Sequence, residues 1–121
     1  MNNVTDICQQ LGYINAPKGL IRQLKYDDIN SLPDKKVLVL STGAQGEEFA
    51  ALTRISRDDF QGVQIRKGDT VLVSASVIPG NEVQMQTMLN NFAEKEINVV
   101  TNKHMDIHAS GHGSEEEHKF V

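Results

Sequence analysis

The feature that most constrains this chain is a unit that occurs twice: a short β-branched run, a glycine-containing loop, then an amphipathic helix. In the first copy Val37-Leu38-Val39-Leu40 is a continuous apolar run of the kind found in a strand buried on both faces. Ser41-Thr42-Gly43-Ala44-Gln45-Gly46 makes the loop, and Phe49, Leu52 and Ile55 at three-residue spacing predict a helix over 47–56. In the second copy the run is 70–75, Ile78-Pro79-Gly80 is the turn, and Met85, Met88, Leu89 and Phe92 mark the inner face of a helix over 81–96. Asn81 and Gln84 have the spacing of a capping box. A third strand over 97–101 follows directly. Strand, helix, strand, helix, strand implies a mainly parallel sheet with right-handed crossovers and flanking helices, an α/β fold with a helical layer on each face. The repetition is architectural, with no repeat of sequence.

The remaining segments are less regular. Val4, Ile7, Cys8 and Leu11 predict a helix over 3–12 that stops at Gly12. A bare helix directly after Met1 is what a segment of a longer protein would present. Pro17, Gly19 and the Asp27-Asp28 pair predict a loop, a short strand over 20–24 and a helical turn opening at Asp27. Val63 and Ile65 alternate before the turn Arg66-Lys67-Gly68-Asp69 and predict a short edge strand. Near the end a strand over 105–108 leads into His108-Ala109-Ser110-Gly111-His112-Gly113, and Ser114 with Glu117 has the spacing of a capping box for a last helix.

Composition removes several functional classes. The 121 residues suit one domain, and no apolar stretch approaches the roughly 20 residues of a membrane helix. No secretory signal opens the chain and the single Cys8 cannot form an internal disulfide, so a reducing, cytoplasmic location is expected. The net charge of −4 argues against a general nucleic-acid coat. That charge is uneven: residues 1–67 carry nine basic and eight acidic side chains, and residues 68–121 carry three and eight. An anion site in the second half must therefore be built from backbone amides, hydroxyls and histidines.

Three groups of residues could carry chemistry. His104, Asp106, His108, Ser110, His112 and His118 lie within 15 residues and include all four histidines. Alternating imidazoles and a carboxylate could line one strand face as metal ligands, but an exposed polar edge has the same pattern, and no metal site is assigned within this chain. Ser110-Gly111-His112-Gly113 precedes a helix N-terminus, where glycines let the backbone approach an anion; the plainer reading is a strand-to-helix connection. Gly43, Gln45 and Gly46 lie between a strand and a helix, at the crevice where open α/β sheets bind ligands, with Ser74 and Ser76 on the same rim. The spacing fits neither a dinucleotide fingerprint nor a P-loop, and a tight turn with an ordinary helix start is the plainer reading. No nucleophile shows a spaced base and acid.

Four blocks taken together are more specific: Leu40-Ser41-Thr42-Gly43-Ala44-Gln45-Gly46-Glu47, Ala51-Leu52-Thr53-Arg54-Ile55, Ser74-Ala75-Ser76-Val77-Ile78-Pro79-Gly80-Asn81-Glu82, and His108-Ala109-Ser110-Gly111-His112-Gly113-Ser114-Glu115-Glu116. In order and spacing they resemble the β-CASP region of ribonuclease J, within the metallo-β-lactamase fold family. The likeness runs over nearly the whole chain and is strongest from Pro33 to Glu117; the segment from Ile7 to Tyr13 resembles the helix that precedes this block. The resemblance implies a single β-CASP-type α/β domain of Rossmann-like, three-layer form over 1–121, part of a larger enzyme, with 105–121 leading back toward the metallo-β-lactamase domain. It implies a ribonuclease that processes and degrades RNA, cutting internally and trimming from a 5′-monophosphate end with two zinc or manganese ions.

The resemblance further places His112 on the second β-CASP motif, a histidine that acts at the scissile phosphate just outside the metal ligands or in proton transfer. His108, Ser110, Gly111 and Gly113 fall on the loop that holds a substrate phosphate. The metal-binding His-x-His-x-Asp-His signature is absent, and His104-Met105-Asp106-Ile107-His108 does not match it. The expectation is an RNA-positioning segment without the metal centre, inactive by itself. A stand-alone α/β module binding a small anion at the rim of Gly43, Gln45, Gly46, Ser74 and Ser76, and a metal-binding protein built on the four histidines, are the other two readings.

Overall fold

The computed structural model describes residues 2–17, 19–21, 29, 32–33, 37–109, 113 and 115–119. Among them the order is α1 (Asn2–Gln10), α2 (Ala51–Ser56), β1 (Thr70–Val73), α3 (Glu82–Glu94), β2 (Asn98–Thr101) and α4 (Glu115–His118). The two strands pair in parallel, in the register Thr70↔Asn98, Val71↔Val99, Leu72↔Val100 and Val73↔Thr101. With α3 as the crossover, the second predicted unit forms as expected, giving a small α/β fold around a two-stranded parallel sheet.

The core follows from the period of each element. Val71 and Val73 point to one face of β1, and Met85, Met88 and Phe92 lie along one stripe of α3. These five, with Ile55 and Ile97, form the buried cluster, and Leu52, Phe60, Val63, Ile65, Leu89 and Val99 pack partly against it. Beneath α2 a polar seam is satisfied internally. The Ser56 hydroxyl donates to Thr53 O at 2.7 Å, and Asn91 Nδ2 donates to Ser56 Oγ at 3.3 Å.

Helices α2 and α3 end in the same way. The Asp59 N–H donates to Arg54 O and the Asp58 N–H to Ile55 O; the Ile97 N–H donates to Phe92 O and the Glu96 N–H to Ala93 O. This is the Schellman arrangement, with Asp58 (φ 58°) and Glu96 (φ 57°) in the left-handed position that glycine usually fills. Each carboxylate also meets a lysine: Asp58 with Lys95 at 2.6 Å, and Glu96 with Lys67 at 2.7 Å.

Several predicted elements differ. Residues 37–40 form no strand, and Leu38 and Leu40 are exposed. A parallel strand buried on both faces needs a hydrogen-bonding neighbour and two covering layers, and the described residues supply neither to this run. For the same reason Leu72, on the sheet face away from α3, is 59 % exposed. The helix expected from Glu47 begins at Ala51, because Gly43–Gly46 and Glu47–Ala50 each close as turns and the Leu52 N–H is held by Thr42 O at 3.1 Å. The edge strand at 63–65 and the strand at 105–108 do not form, and Leu20 and Ile21 are not in a strand. The turn at Asp27, the remainder of 20–24 and the Ser114 and Glu117 cap lie outside the described residues.

At α3 the Asn81–Gln84 capping box is absent. Asn81 has φ −102° and ψ 7°, not the extended backbone that a capping side chain needs, and it makes no capping bond. Glu82 reaches back instead and accepts from the Gly80 N–H at 2.8 Å. Helix α1 is nearly as predicted and closes at Gly12, whose φ is +80°. Its residue Ile7 and the following Leu11 are exposed.

Candidate functional site

The connection leaving the C-terminal end of β1 is met by the glycine turn at 43–46 and, separately, by the segment that follows β2, at the end where open α/β sheets present ligand crevices. Two side chains join them. Gln45 uses both ends of its carboxamide: Nε2 donates to Ser76 O at 2.7 Å, and Oε1 accepts from the Ile78 N–H at 2.9 Å. His108 lies against Ser74 O through Nδ1. A carbonyl oxygen can only accept, so Nδ1 carries the proton and Nε2 is the ring's remaining nitrogen. The segment following β1 is thus held at Ser74 and Ser76 from two directions, while both serine residues remain exposed.

The glycine turn is seated by close backbone approach. The Gly46 N–H donates to Gly43 O at 3.2 Å. Gly46 has φ +77°, and a Cβ placed there would fall 2.5 Å from Gln84 C, 2.6 Å from Gln84 O and 2.7 Å from Met85 N, all backbone atoms of α3. Gly43 has φ +99°, and a Cβ there would collide with the Ala50 side chain. The turn therefore lies directly on the first turns of α3, which fixes where Gln45 starts. The glycines are required by φ and by space, and Gln45 satisfies backbone groups.

The histidines separate into different tasks. His104 serves its own turn: its Nδ1 accepts from the Thr101 N–H at 3.2 Å and lies 3.1 Å from Thr101 Oγ1, while the Lys103 N–H donates to that hydroxyl at 3.3 Å. Bare Nδ1 on His104 and protonated Nδ1 on His108 make the two rings opposite tautomers. The alternation His104-x-Asp106-x-His108 therefore does not line a strand face as a ligand row; without the strand its period has no structural meaning. Among the described residues no group of three or more His, Cys, Asp or Glu is placed to hold a metal ion. Ser110, Gly111, His112 and the His118 side chain lie outside the described residues; Gly113 is described and exposed.

Of Gly43, Gln45, Gly46, Ser74 and Ser76, which the sequence places on one rim, the structure joins Gln45 to Ser76 O, closes the turn that carries Gln45 with Gly43 and Gly46, and sets Ser74 O against His108. Sequence reasoning did not find the bond from His108 to Ser74 O, which spans 34 positions. An open depression of about 440 Å³ lined by Gln9, Ile14, Asn15, Ala16 and Pro17 contains no ionisable side chain and touches none of the three connections. No described helix is long and apolar enough to cross a membrane.

Residues 1–92 match the family described as "Ribonuclease J, beta-CASP domain". A Synechocystis protein named Ribonuclease J is 44 % identical over 121 residues, covering all of this chain and 19 % of that protein. The Corynebacterium glutamicum Ribonuclease J is 37 % identical over 116 residues, 96 % of this chain and 16 % of its own length. That of Thermus thermophilus is 35 % identical over 115 residues, 95 % of this chain and 20 % of its own. The chain thus spans about a fifth of the length of these curated relatives. Residues 93–121, beyond the matched domain, are still covered by the full-length Synechocystis alignment, and on both grounds the chain belongs to the ribonuclease J β-CASP family.

Proposed function

We propose that this chain is the RNA-positioning β-CASP part of a ribonuclease J-type enzyme acting in the cytoplasm, a single unit over 1–121 whose last residues lead back toward the hydrolytic domain. The observation that carries this reading is the joined rim: three connections drawn together by Gln45 and His108 at the C-terminal end of a parallel sheet, in a chain aligned throughout with proteins named for cleaving RNA. The rim suits a polyanion that must be placed precisely, because it offers hydroxyls and backbone groups held by neighbours.

The division of labour follows from the donor sets. Hydrolysis of a phosphodiester by two metal ions requires ligands that hold both ions. Among the described residues no set of side chains is placed to hold such a centre, and the proposal assigns zinc or manganese and the hydrolytic step to other parts of a longer protein. His112 is the group proposed to donate to a phosphate oxygen, with Ser110, Gly111, Gly113 and His108 forming the cradle for the 5′-monophosphate end. A glycine-rich loop with hydroxyl, backbone N–H and imidazole groups supplies hydrogen bonds where lysine and arginine are scarce.

The test is a salt titration by fluorescence anisotropy with a 5′-monophosphorylated oligoribonucleotide. Weak binding that decreases with salt is expected, because the net charge of −4 opposes association with a polyanion. A preference for the 5′-phosphorylated over the 5′-hydroxyl oligonucleotide supports the cradle. Equal response to free inorganic phosphate, with no added affinity from RNA, would establish a small-anion module and overturn the proposal.

A further inference from the structure

The geometry points to Gln45 as a positioning residue of this rim: its carboxamide takes the place of a neighbouring strand and holds Ser74 to Ile78 in the one course that presents the Ser74 and Ser76 hydroxyls to the RNA backbone. This inference rests on the RNA-positioning reading above and adds a residue and a mechanism to it.

Past Val73 the chain leaves the sheet, and the ladder that ordered β1 ends with the pair Val73 and Thr101. A connection that leaves a ladder must satisfy its N–H and C=O groups with side chains or water. Here Gln45 supplies one donor and one acceptor to groups two residues apart, Ser76 O at 2.7 Å and Ile78 N at 2.9 Å. That is the pairing a strand edge would offer. Neither serine hydroxyl is drawn into a bond with a described residue, and both residues are exposed.

The positioning of Gln45 is itself enforced. Gly46, next in sequence, is buried with no room for a Cβ against Gln84 and Met85, and Gly43 closes the same turn through its bond with the Gly46 N–H. The amide therefore extends from a base fixed on α3 to the segment leaving β1. Replacement by a side chain that cannot both donate and accept would release Ser76 O and Ile78 N to water, leaving the glycine turn and the core untouched. Among the described residues His108 would then remain as the side chain that holds this segment, at Ser74 O.

The experiment compares Gln45→Ala, Gln45→Glu and the double variant Ser74→Ala/Ser76→Ala with the unaltered chain. Two quantities are read by NMR: amide hydrogen exchange, and chemical-shift titration with a 5′-monophosphorylated oligouridylate. Gln45→Ala is expected to accelerate exchange at Ile78 roughly tenfold, the loss of one neutral hydrogen bond, while Val73 and Phe92 exchange as before. Gln45→Glu keeps an acceptor for Ile78 but sets a carboxylate against Ser76 O, so Ile78 stays closer to the unaltered chain than in Gln45→Ala. RNA affinity should decrease roughly three- to tenfold in Gln45→Ala and in the double-serine variant alike.

Unchanged exchange at Ile78 in Gln45→Ala overturns the inference, whatever RNA does. Accelerated exchange with undiminished RNA affinity overturns the positioning role while leaving RNA binding standing. Equal acceleration at Val73 and Phe92 makes the effect one of global stability and also overturns it. Absence of RNA binding by the unaltered chain, with Ile78 still released by Gln45→Ala, refutes the RNA-positioning reading.

Discussion

Replacing Gly46 by alanine tests the seating on which the rim depends. Two costs add at this position. A φ of +77° holds an L residue in the left-handed region, at roughly 1–2 kcal/mol. The new Cβ would also lie 2.5–2.7 Å from Gln84 C, Gln84 O and Met85 N, and because these are backbone atoms inside a helix the relief must come from moving the turn or α3. Overpacking of that kind costs roughly 1–3 kcal/mol, for a total of roughly 2–5 kcal/mol. Gly68 provides the control, since its φ is +90° but nothing lies within 4 Å of its Cβ position, so only the conformational part applies. Urea denaturation of the three proteins measures the difference. Gly46→Ala should unfold at lower denaturant than Gly68→Ala by an amount worth roughly 1–3 kcal/mol, with unchanged slope. Equal midpoints would refute the close approach of the turn to α3, and with it the fixed base from which Gln45 extends.

Three further outcomes follow from the same geometry. Glu96→Gly should stabilise the chain by roughly 0.5–1 kcal/mol in thermal or urea denaturation, because relief of the left-handed strain outweighs an exposed ion pair with Lys67; a net loss would show that the ion pair dominates. Nitrogen-15 spectra of the neutral imidazoles should give His108 as the Nδ1–H tautomer and His104 as the Nε2–H tautomer, and the same tautomer on both would contradict one of the two bonding schemes. Incubation of the chain with 5′-monophosphorylated RNA and Mn²⁺ or Zn²⁺ should give no cleavage, and metal-dependent cleavage that copurifies with the protein would show a hydrolytic centre built by this chain.

Legibility in the sequence tracks how local the determining physics is. Residues 70–101 were readable because each element contains its own signal and finds its partner within the next thirty positions: Val71 and Val73 alternate, Met85, Met88 and Phe92 keep helical spacing, and α3 returns the chain to pair β2 beside β1. Val37-Leu38-Val39-Leu40 contains an equally strong strand pattern but remains outside the sheet, because a run of that type is stabilised by what lies on both sides of it. Its pattern describes an environment, and the environment is non-local. Leu72 makes the same point from inside a formed strand, since its outward face is as apolar as its inward neighbours require and is left exposed.

The site divides along the same line. Gly43 and Gly46 could be recognised as a turn from composition, whereas the reason they cannot bear a Cβ lies in Ala50 and in the α3 backbone, which only the folded chain brings near. A glutamine in such a loop can face either a ligand or the backbone, and spacing cannot decide between them for Gln45 when its two partners lie 31 and 33 positions away. The histidine-rich segment was the most conspicuous pattern and the least informative as a pattern, because its alternation has meaning only on a strand. Once 105–108 is irregular, His104 and His108 respond to different neighbours and adopt opposite tautomers. A rim assembled from separate connections is therefore expected to tolerate changes of side-chain type at exposed positions better than changes that unseat Gly46 or remove the carboxamide of Gln45, since the latter two act on the frame that holds all the others.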